Sequence, residues 1–302
     1  MTRDPSSAAT RERSRVALVT SDLFPDLYED DFPLRDGLRA RGVSVDAVCW
    51  DDATADWAGY DLAVIRSPWD YTPRRNQFVA WAHAVPRLAN PADIIEWNSD
   101  KVYLRDLAGA GVAVTPTEFV PPAAAWTPPA TGEWVVKPTI SVAALDSGRY
   151  RFPAQAELAV AHVRRLQAAG RTAMVQPYLA AVDTAGETSV LCTPDAGGEL
   201  SYSHAVRKGA LLTGPDTGAP HDEYTEEIEP RVPSAAELAL AATALAAVPG
   251  GAERLLYARV DMIPGPDGVP LLVELELVEP SLFFRHAPGS ADRLAAAILT
   301  RL

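Results

Sequence analysis

Two cysteines, Cys49 and Cys192, are all that 302 residues contain. Each sits in a strand-like run, 46–50 or 188–193, without the spacing of a metal site, and both read as small core residues. No stretch approaches the roughly 18 apolar residues of a membrane span. The start, Met1 to Arg15, is polar and Arg-bearing, with nothing apolar for a signal peptidase to use, so a soluble, cytoplasmic protein with no membrane partner is expected. Positive charge is also short. A formal net charge of −13 leaves no basic face to exchange for the counterions of a phosphate backbone. That argues against general nucleic-acid binding but allows a local cationic pocket for a small phosphate compound. Lysine is scarcer still: of 27 Lys and Arg residues only Lys101, Lys137 and Lys208 are lysine. Arginine can solvate a surface, so such lysines are candidates for places where a compact point charge is wanted, with codon bias as the plain alternative.

What is present is a globular composition, 48% hydrophobic, enough for two or three packed lobes. Residues 1–14 form a polar tail expected to be disordered. Strand patterns at 15–21, 43–50 and 62–67 alternate with helical spacing at 30–41, stopped by Gly42, and after the cap-like pair Thr72-Pro73. This order predicts a small open α/β domain over 15–97. It carries no GxGxxG, which argues against dinucleotide binding. Asn98 or Ser99 would cap a helix through Tyr103, Leu104 and Leu107. Strand-like pieces at 112–120, 134–137 and 172–179, with an amphipathic helix over 154–169, predict a mixed middle subdomain over 98–179. A third subdomain, 180–302, would hold strands at 188–193 and 199–207 and a polar loop around 213–227. Beyond these come a helix opened by the capping box Ser234-x-x-Glu237, strands at 255–263 and 271–278, and a last helix capped by Ser290.

The segment from Leu255 to Pro280 carries the most chemistry. Two β-rich arms flank the hairpin dipeptide Asp267-Gly268, while Pro264, Pro266 and Pro270 predict that pairing stops before the tip. With the turn centred between Asp267 and Gly268, Asp261 faces Glu274 and Arg259 faces Glu276, all on one face of the sheet. Val260, Met262, Val273, Leu275 and Leu277 take the other. Asp261, Glu274 and Glu276 stacked in this way repel unless a cation sits among them, and oxygen-only ligands suit Mg²⁺ completed by substrate phosphates. A solvated acidic strand face is the plain alternative.

These residues resemble the ATP-grasp ligases, the family that includes glutathione synthetase and D-alanine:D-alanine ligase. Arg259-Val-Asp261 is similar to the family's Arg-x-Asp strand, and Glu274-Leu-Glu276 to its Glu-x-Asn metal strand. Asp100-Lys101 and Val136-Lys137-Pro138 resemble its two nucleotide-binding lysines. Met174 to Leu179 resembles the hinge that receives adenine, implying contacts from Gln176, Pro177, Tyr178 and Leu179. Gly186-Glu187 resembles its ribose-holding acid, with Asp183 as the fallback. Within the family, Trp97-Asn98-x-Asp100-Lys101-x-Tyr103-Leu104, Ser203 to Lys208 and Glu274-Leu-Glu276-x-x-Glu279-Pro280 look closest to the D-cycloserine synthetase group, which cyclises O-ureido-D-serine. The loop 211–223 departs from that group in lacking its Phe-Arg and Gly-Gly pieces.

The resemblance implies an ATP-grasp architecture, an N-terminal open α/β lobe followed by two α+β lobes that sandwich ATP. It implies an ATP- and Mg²⁺-dependent carboxylate–amine ligase, acting through an acyl phosphate on a small substrate, with intramolecular cyclisation as one form of the reaction. Asp261, Glu274 and Glu276 would hold Mg²⁺, Lys101 and Lys137 would meet phosphate, and Arg259 would stabilise the transferring group. Arg207 and Lys208 would contact the acyl phosphate or substrate carboxylate. Segment 139–148 is the candidate lid, and Arg66 to Tyr71, at a strand's C-terminal end, a candidate substrate contact. His204 reads as packed. A homodimer is left open. So are two other functions: a nucleotide-binding sensor without turnover, and a Mg²⁺-dependent phosphotransferase.

Overall fold

The computed structural model describes residues 13–216, 218 and 227–302. All but the end of the expected 1–14 tail, and much of the 213–227 loop, lie outside the described residues. No helix among those described is long and apolar enough to cross a membrane.

Strands β1 (Arg15–Thr20), β2 (Ser44–Cys49), β3 (Leu62–Ser67) and β4 (Leu88–Ala89) form a parallel sheet in the order β2-β1-β3-β4. β1 and β3 are buried along nearly their whole length and apolar over Val16–Val19 and Leu62–Ile65, as strands covered on both faces are. Helix α1 (Phe32–Ala40) joins β1 to β2, and Gly42 follows its end with φ of +84°, the left-handed position that stops a helix. Helix α2 (Arg75–Ala84) joins β3 to β4. Thr72 does not cap it; residues 72–74 form a separate 3-10 turn with no side-chain cap.

Next come α3 (Ala92–Asn98), which the sequence reading did not foresee, and α4 (Tyr103–Gly109). Asn98 therefore ends one helix instead of capping the next, and the Asp100 carboxylate accepts the Val102 N–H at 3.2 Å. Strands β5 (Glu118–Val120), β6 (Gly132–Pro138), β7 (Gly148–Phe152) and β8 (Ala173–Pro177), with α5 (Ala156–Ala168), make an antiparallel sheet ordered β5-β8-β6-β7.

After the short α6 (Val182–Ala185) follow β9 (Glu187–Pro194), β10 (Leu200–Lys208), β11 (Ile228–Arg231), α7 (Ala235–Ala246), β12 (Ala258–Pro264), β13 (Pro270–Glu276) and α8 (Ser290–Leu299). The sheet order is β11-β10-β9-β12-β13, antiparallel throughout. The capping box at α7 forms as expected, Ser234 and Glu237 each accepting the other's N–H. At α8 Gly289 occupies the cap, and the Ser290 hydroxyl donates to Ala287 O at 2.6 Å. Helix α8 packs beside α1, so residues near the C-terminus complete the core of the first sheet: Leu294 and Ile298 share one apolar cluster with Val16, Leu18 and Leu34. Cys192 is buried, whereas Cys49 is half-buried and donates its thiol to Asp22 at 3.3 Å.

The hairpin pairs as expected where it matters: Arg259 faces Glu276 and Asp261 faces Glu274. Nearer the tip the register shifts by one, with Met262 opposite Leu272 and pairing carried through to Pro264 and Pro270. The turn is thus five residues, 265–269, and Val273 is the extra residue of a bulge that restores the register of the acidic half. The bulge turns Val273 out of the core. Leu272 packs there with Met262, while Val273 joins Leu179, Val182 and Ile263 in a separate apolar group.

Candidate active site

A cavity of about 830 Å³ opens between the three sheets, and all three lysines of the chain line it. Lys101 lies between α3 and α4, Lys137 lies near the end of β6, and Lys208 ends β10. The same cavity receives Arg259, Asp261, Glu274 and Glu276 from the hairpin and Glu187 from the start of β9.

The carboxylates are met by the protein's own cations. Arg259 Nε and Nη2 donate to Asp261 Oδ1 and Oδ2, each at 3.0 Å, Nη2 also contacts Glu276, and Nη1 donates to Ser281 O at 3.2 Å. Lys208 Nζ lies 3.0 Å from Asp261 and contacts Glu187. Lys101 Nζ lies 3.0 Å from Glu274 and donates to Ser141 O at 2.9 Å. The repulsion that seemed to demand a metal is therefore relieved by Arg259, Lys208 and Lys101. Among the described residues no three His, Cys, Asp or Glu side chains converge as a ready-made metal cage. The donor set still fits Mg²⁺ in kind, since that ion commonly takes only one or two carboxylates alongside phosphates and water.

Burial and charge divide these acids. Burial opposes ionisation of Asp261, but Arg259 and Lys208 overcome it and hold that carboxyl well below its usual range. Glu274 is likewise lowered, against burial, by Lys101 and Lys137. For Glu276 and Glu187 burial wins despite Arg259 and Lys208, pushing them up to about 8 and about 7. Lys137 differs from the other two lysines. No carboxylate among the described residues lies within ion-pairing distance of its ammonium, and burial lowers its pKa.

Of the hinge residues, Gln176, Pro177, Tyr178 and Leu179 all line the cavity, beside Val182, Ile263 and Val273. Gln176 is buried, its amide donating to Thr117 Oγ1 at 2.8 Å. Two expected residues do not reach the cavity. Arg207 precedes Lys208 in β10, and successive strand residues point to opposite faces; with Lys208 turned inward, Arg207 donates through Nε to Ala185 O at 3.0 Å. Asp183 is held away by Arg149, at 3.3 Å, and by the Tyr178 hydroxyl. In the candidate lid, Ser141 to Ala144 and Ser147 line the cavity, and Ala143 and Ala144 adopt φ of +50° and +54°. In Arg66 to Tyr71 only Trp69 and Tyr71 line it. Arg66 is buried instead, clamped by Asp31 at 2.8 Å and donating to Pro280 O at 2.8 Å. His204 is packed as expected, close to Leu282 O at 2.8 Å.

The sequence reading missed what holds β13 in place. Asn98 Nδ2 donates to Leu275 O at 2.8 Å and its Oδ1 accepts Leu277 N–H at 2.7 Å, while the Tyr103 hydroxyl accepts Leu275 N–H at 2.8 Å. These side chains replace a neighbouring strand along the open edge and fix the backbone that carries Glu274 and Glu276. The recurring Asn and Tyr around Asp100-Lys101 were a visible signal, but only topology shows which edge they meet. Also missed were Tyr28, Asp30 and Phe283, which line the cavity from loops and turns; Glu279, quoted in the resembling motif but given no role, lines it too.

Comparison with known proteins agrees with this geometry. Residues 16–90 match the family model of the N-terminal domain of D-cycloserine synthetase DcsG. The cycloserine biosynthesis protein DcsG of Streptomyces lavendulae is 36% identical over 302 residues, covering 95% of this chain and 98% of the relative. The crystal structure of D-cycloserine synthetase DcsG superposes with a TM-score of 0.82 at 34% identity, over 95% of this chain and 99% of that one. D-Alanine–D-alanine ligase from Bacillus anthracis, solved with ATP, shares the fold at a TM-score of 0.65 and 12% identity, over 96% and 98% of the two chains. The ATP-grasp ligase PsnB with its minimal precursor does so at 0.61 and 17%, over 96% and 100%. With a relative this similar along nearly the whole chain, the protein belongs to the D-cycloserine synthetase family of ATP-grasp ligases, enzymes that form carbon–nitrogen bonds.

Proposed function

We propose that the protein is an ATP- and Mg²⁺-dependent carboxylate–amine ligase that works through an acyl phosphate, closing an amino-acid-derived substrate such as O-ureido-D-serine into a ring in the cytoplasm. One observation carries the reading: Lys137 presents a buried ammonium, with no carboxylate among the described residues in ion-pairing distance, to a cavity that already holds Lys101 and Lys208. An uncompensated buried cation is costly unless an anion is brought to it, and the phosphates of a nucleotide are such an anion.

A carboxylate oxygen is a poor leaving group. Attack of that oxygen on the γ-phosphorus expels ADP and leaves an acyl phosphate; attack of the amine on the acyl carbon then expels phosphate. In this reading Lys101 and Lys137 neutralise phosphate oxygens, and the apolar group around Leu179 and Val273, with the backbone of Gln176 to Leu179, takes the base. Glu187 accepts the ribose hydroxyls. Lys208 faces the acyl phosphate, and Arg259, its fork fixed by Asp261 and Glu276, stabilises charge that develops during transfer. Asp261, Glu274 and Glu276 would hold Mg²⁺, which neutralises the γ-phosphate for attack. Residues 98–179 and 180–302 would be the lobes enclosing the nucleotide, with 15–97 on the substrate side.

The test is ADP release across a panel of amino acids and O-ureido-D-serine, with hydroxylamine added to trap acyl phosphate as hydroxamate. ADP formed only with a carboxylate substrate, together with hydroxamate, is expected. ADP release indifferent to the carboxylate would overturn the proposal in favour of a phosphotransferase or simple ATPase.

A further inference from the structure

Among the described residues, Glu279 is the one carboxylate lining the cavity that meets neither a cation nor a backbone N–H group. Asp261, Glu274, Glu276 and Glu187 each contact a lysine or arginine, and Asp30 accepts the backbone N–H groups of Phe284 and Arg285 at 3.1 and 3.2 Å. Glu279 Oε1 accepts only the Tyr71 hydroxyl, at 2.9 Å, and no cation among the described residues lies within ion-pairing distance of it. Its position is nonetheless built with care. Trp69 Nε1 donates to Glu279 O at 3.1 Å, so two residues from the turn after β3 grip the residue from two sides. Tyr71 is 3% exposed and stacks on Phe78 with ring centroids 4.4 Å apart, which fixes its hydroxyl. Burial pushes the Glu279 carboxyl up to about 7, a position that an arriving cation would reverse.

The surroundings suit a cation as well. Trp69 meets Tyr28 edge-on at 5.1 Å between centroids, and both rings line the cavity beside Tyr71 and Glu279. Aromatic faces with one carboxylate, partly shut from water, favour a compact ammonium over a neutral group. Glu279 also lies near enough to Lys101 and Arg259 for their charges to act on its carboxyl, so a ligand nitrogen held here would belong to a small molecule whose other end reaches the phosphate region.

We propose that Glu279, held by Tyr71 and Trp69, is the receptor for the substrate's ammonium group, and that the enzyme therefore selects acids carrying a positively charged nitrogen close to the reacting carboxylate. The inference rests on the ligase reading for the place of the carboxylate, but the nitrogen site can be tested by binding alone.

Calorimetry with a non-hydrolysable ATP analogue present would compare O-ureido-D-serine, D-serine and D-alanine with the matching acids that lack the amino group. The wild-type protein is expected to bind at least one amino acid at least thirtyfold more tightly than its desamino counterpart. Glu279→Gln, which retains an acceptor for Tyr71, should remove that preference while leaving affinity for the ATP analogue unchanged. Tyr71→Phe should weaken amino-acid binding by a smaller factor, about three- to tenfold, and so checks the site should the first variant fold poorly. Equal binding of the amino and desamino acids by wild type, binding of none of them, or a Glu279→Gln variant that keeps the preference would each overturn the proposal. Failure of the ligase reading would look different: the amino-acid preference would persist while ADP release stayed independent of any carboxylate.

Discussion

Replacing Lys137 with methionine separates the cost of a buried charge from its use. The substitution keeps an unbranched apolar stem of similar length and removes only the ammonium. In the ligand-free protein that ammonium has no acidic partner within ion-pairing distance among the described residues, and burial, together with Lys101 and Lys208, disfavours its charged form while Glu274 partly offsets this. Its loss should leave the ligand-free fold as stable as before or more so. Nucleotide binding should respond in the opposite direction, because a hydrogen bond from a charged donor to phosphate contributes about 1.5–3 kcal/mol. That corresponds to an affinity loss of about ten- to 150-fold. Urea denaturation without ligand and calorimetric titration with ATP and Mg²⁺ measure the two quantities on the same sample. Unchanged ATP affinity, or a ligand-free fold destabilised by more than about 2 kcal/mol, would show that Lys137 is a packing residue and would refute the argument.

Three further outcomes are expected. Arg259→Lys, which loses the fork that grips Asp261 and Glu276, should lower kcat about a hundredfold with a much smaller change in ATP affinity; equal losses in both, by steady-state kinetics and calorimetry, would make Arg259 a ground-state ligand. Asn98→Ala leaves Leu275 O and Leu277 N–H without their buried partners and should cost about 2–4 kcal/mol of stability by urea denaturation; a loss below 1 kcal/mol would mean water replaces the amide. Stability should also depend on pH through Glu187, Glu276 and Glu279, whose carboxyls burial raises to about 7, 8 and 7. A raised carboxyl adds stability that is fully present below its unfolded value and lost as pH climbs through the folded one. Ligand-free stability should therefore fall between about pH 5 and 8, Glu279 supplying at most about 3 kcal/mol of the change, and Glu279→Gln should flatten the curve by that share. A flat wild-type curve would contradict it.

Much of this site was legible because its chemistry sits on strands. The period of two put Arg259, Asp261, Glu274 and Glu276 on one face, and a hairpin dipeptide gave the register. The register held in the acidic half only because the bulge at Val273 compensates a turn one residue shorter than the centred register implied, and no local signal announces such a bulge. The scarcity of lysine also proved informative, since all three converge on the cavity. Arg207 was misplaced by taking two successive strand residues together when their side chains must diverge. β7 escaped notice although its burial alternates cleanly, Gly148, Tyr150 and Phe152 inward and Arg149 and Arg151 outward, because two arginines in five residues hide the apolar period. Tyr28, and the pairing of Tyr71 with Glu279, lay beyond reach for a different reason, although Tyr71 stood in the candidate substrate segment and Glu279 in the quoted motif: loops and turns bring them together over long sequence separations, and neither period nor propensity encodes that.

The central claim is that the substrate's carboxylate is activated by phosphorylation, and oxygen transfer tests it most directly. With the carboxylate of the substrate labelled with ¹⁸O, turnover in the presence of ATP and Mg²⁺ should place one labelled oxygen in the inorganic phosphate released for every carbon–nitrogen bond formed. Product formed with unlabelled phosphate, or with the label in AMP, would contradict the account.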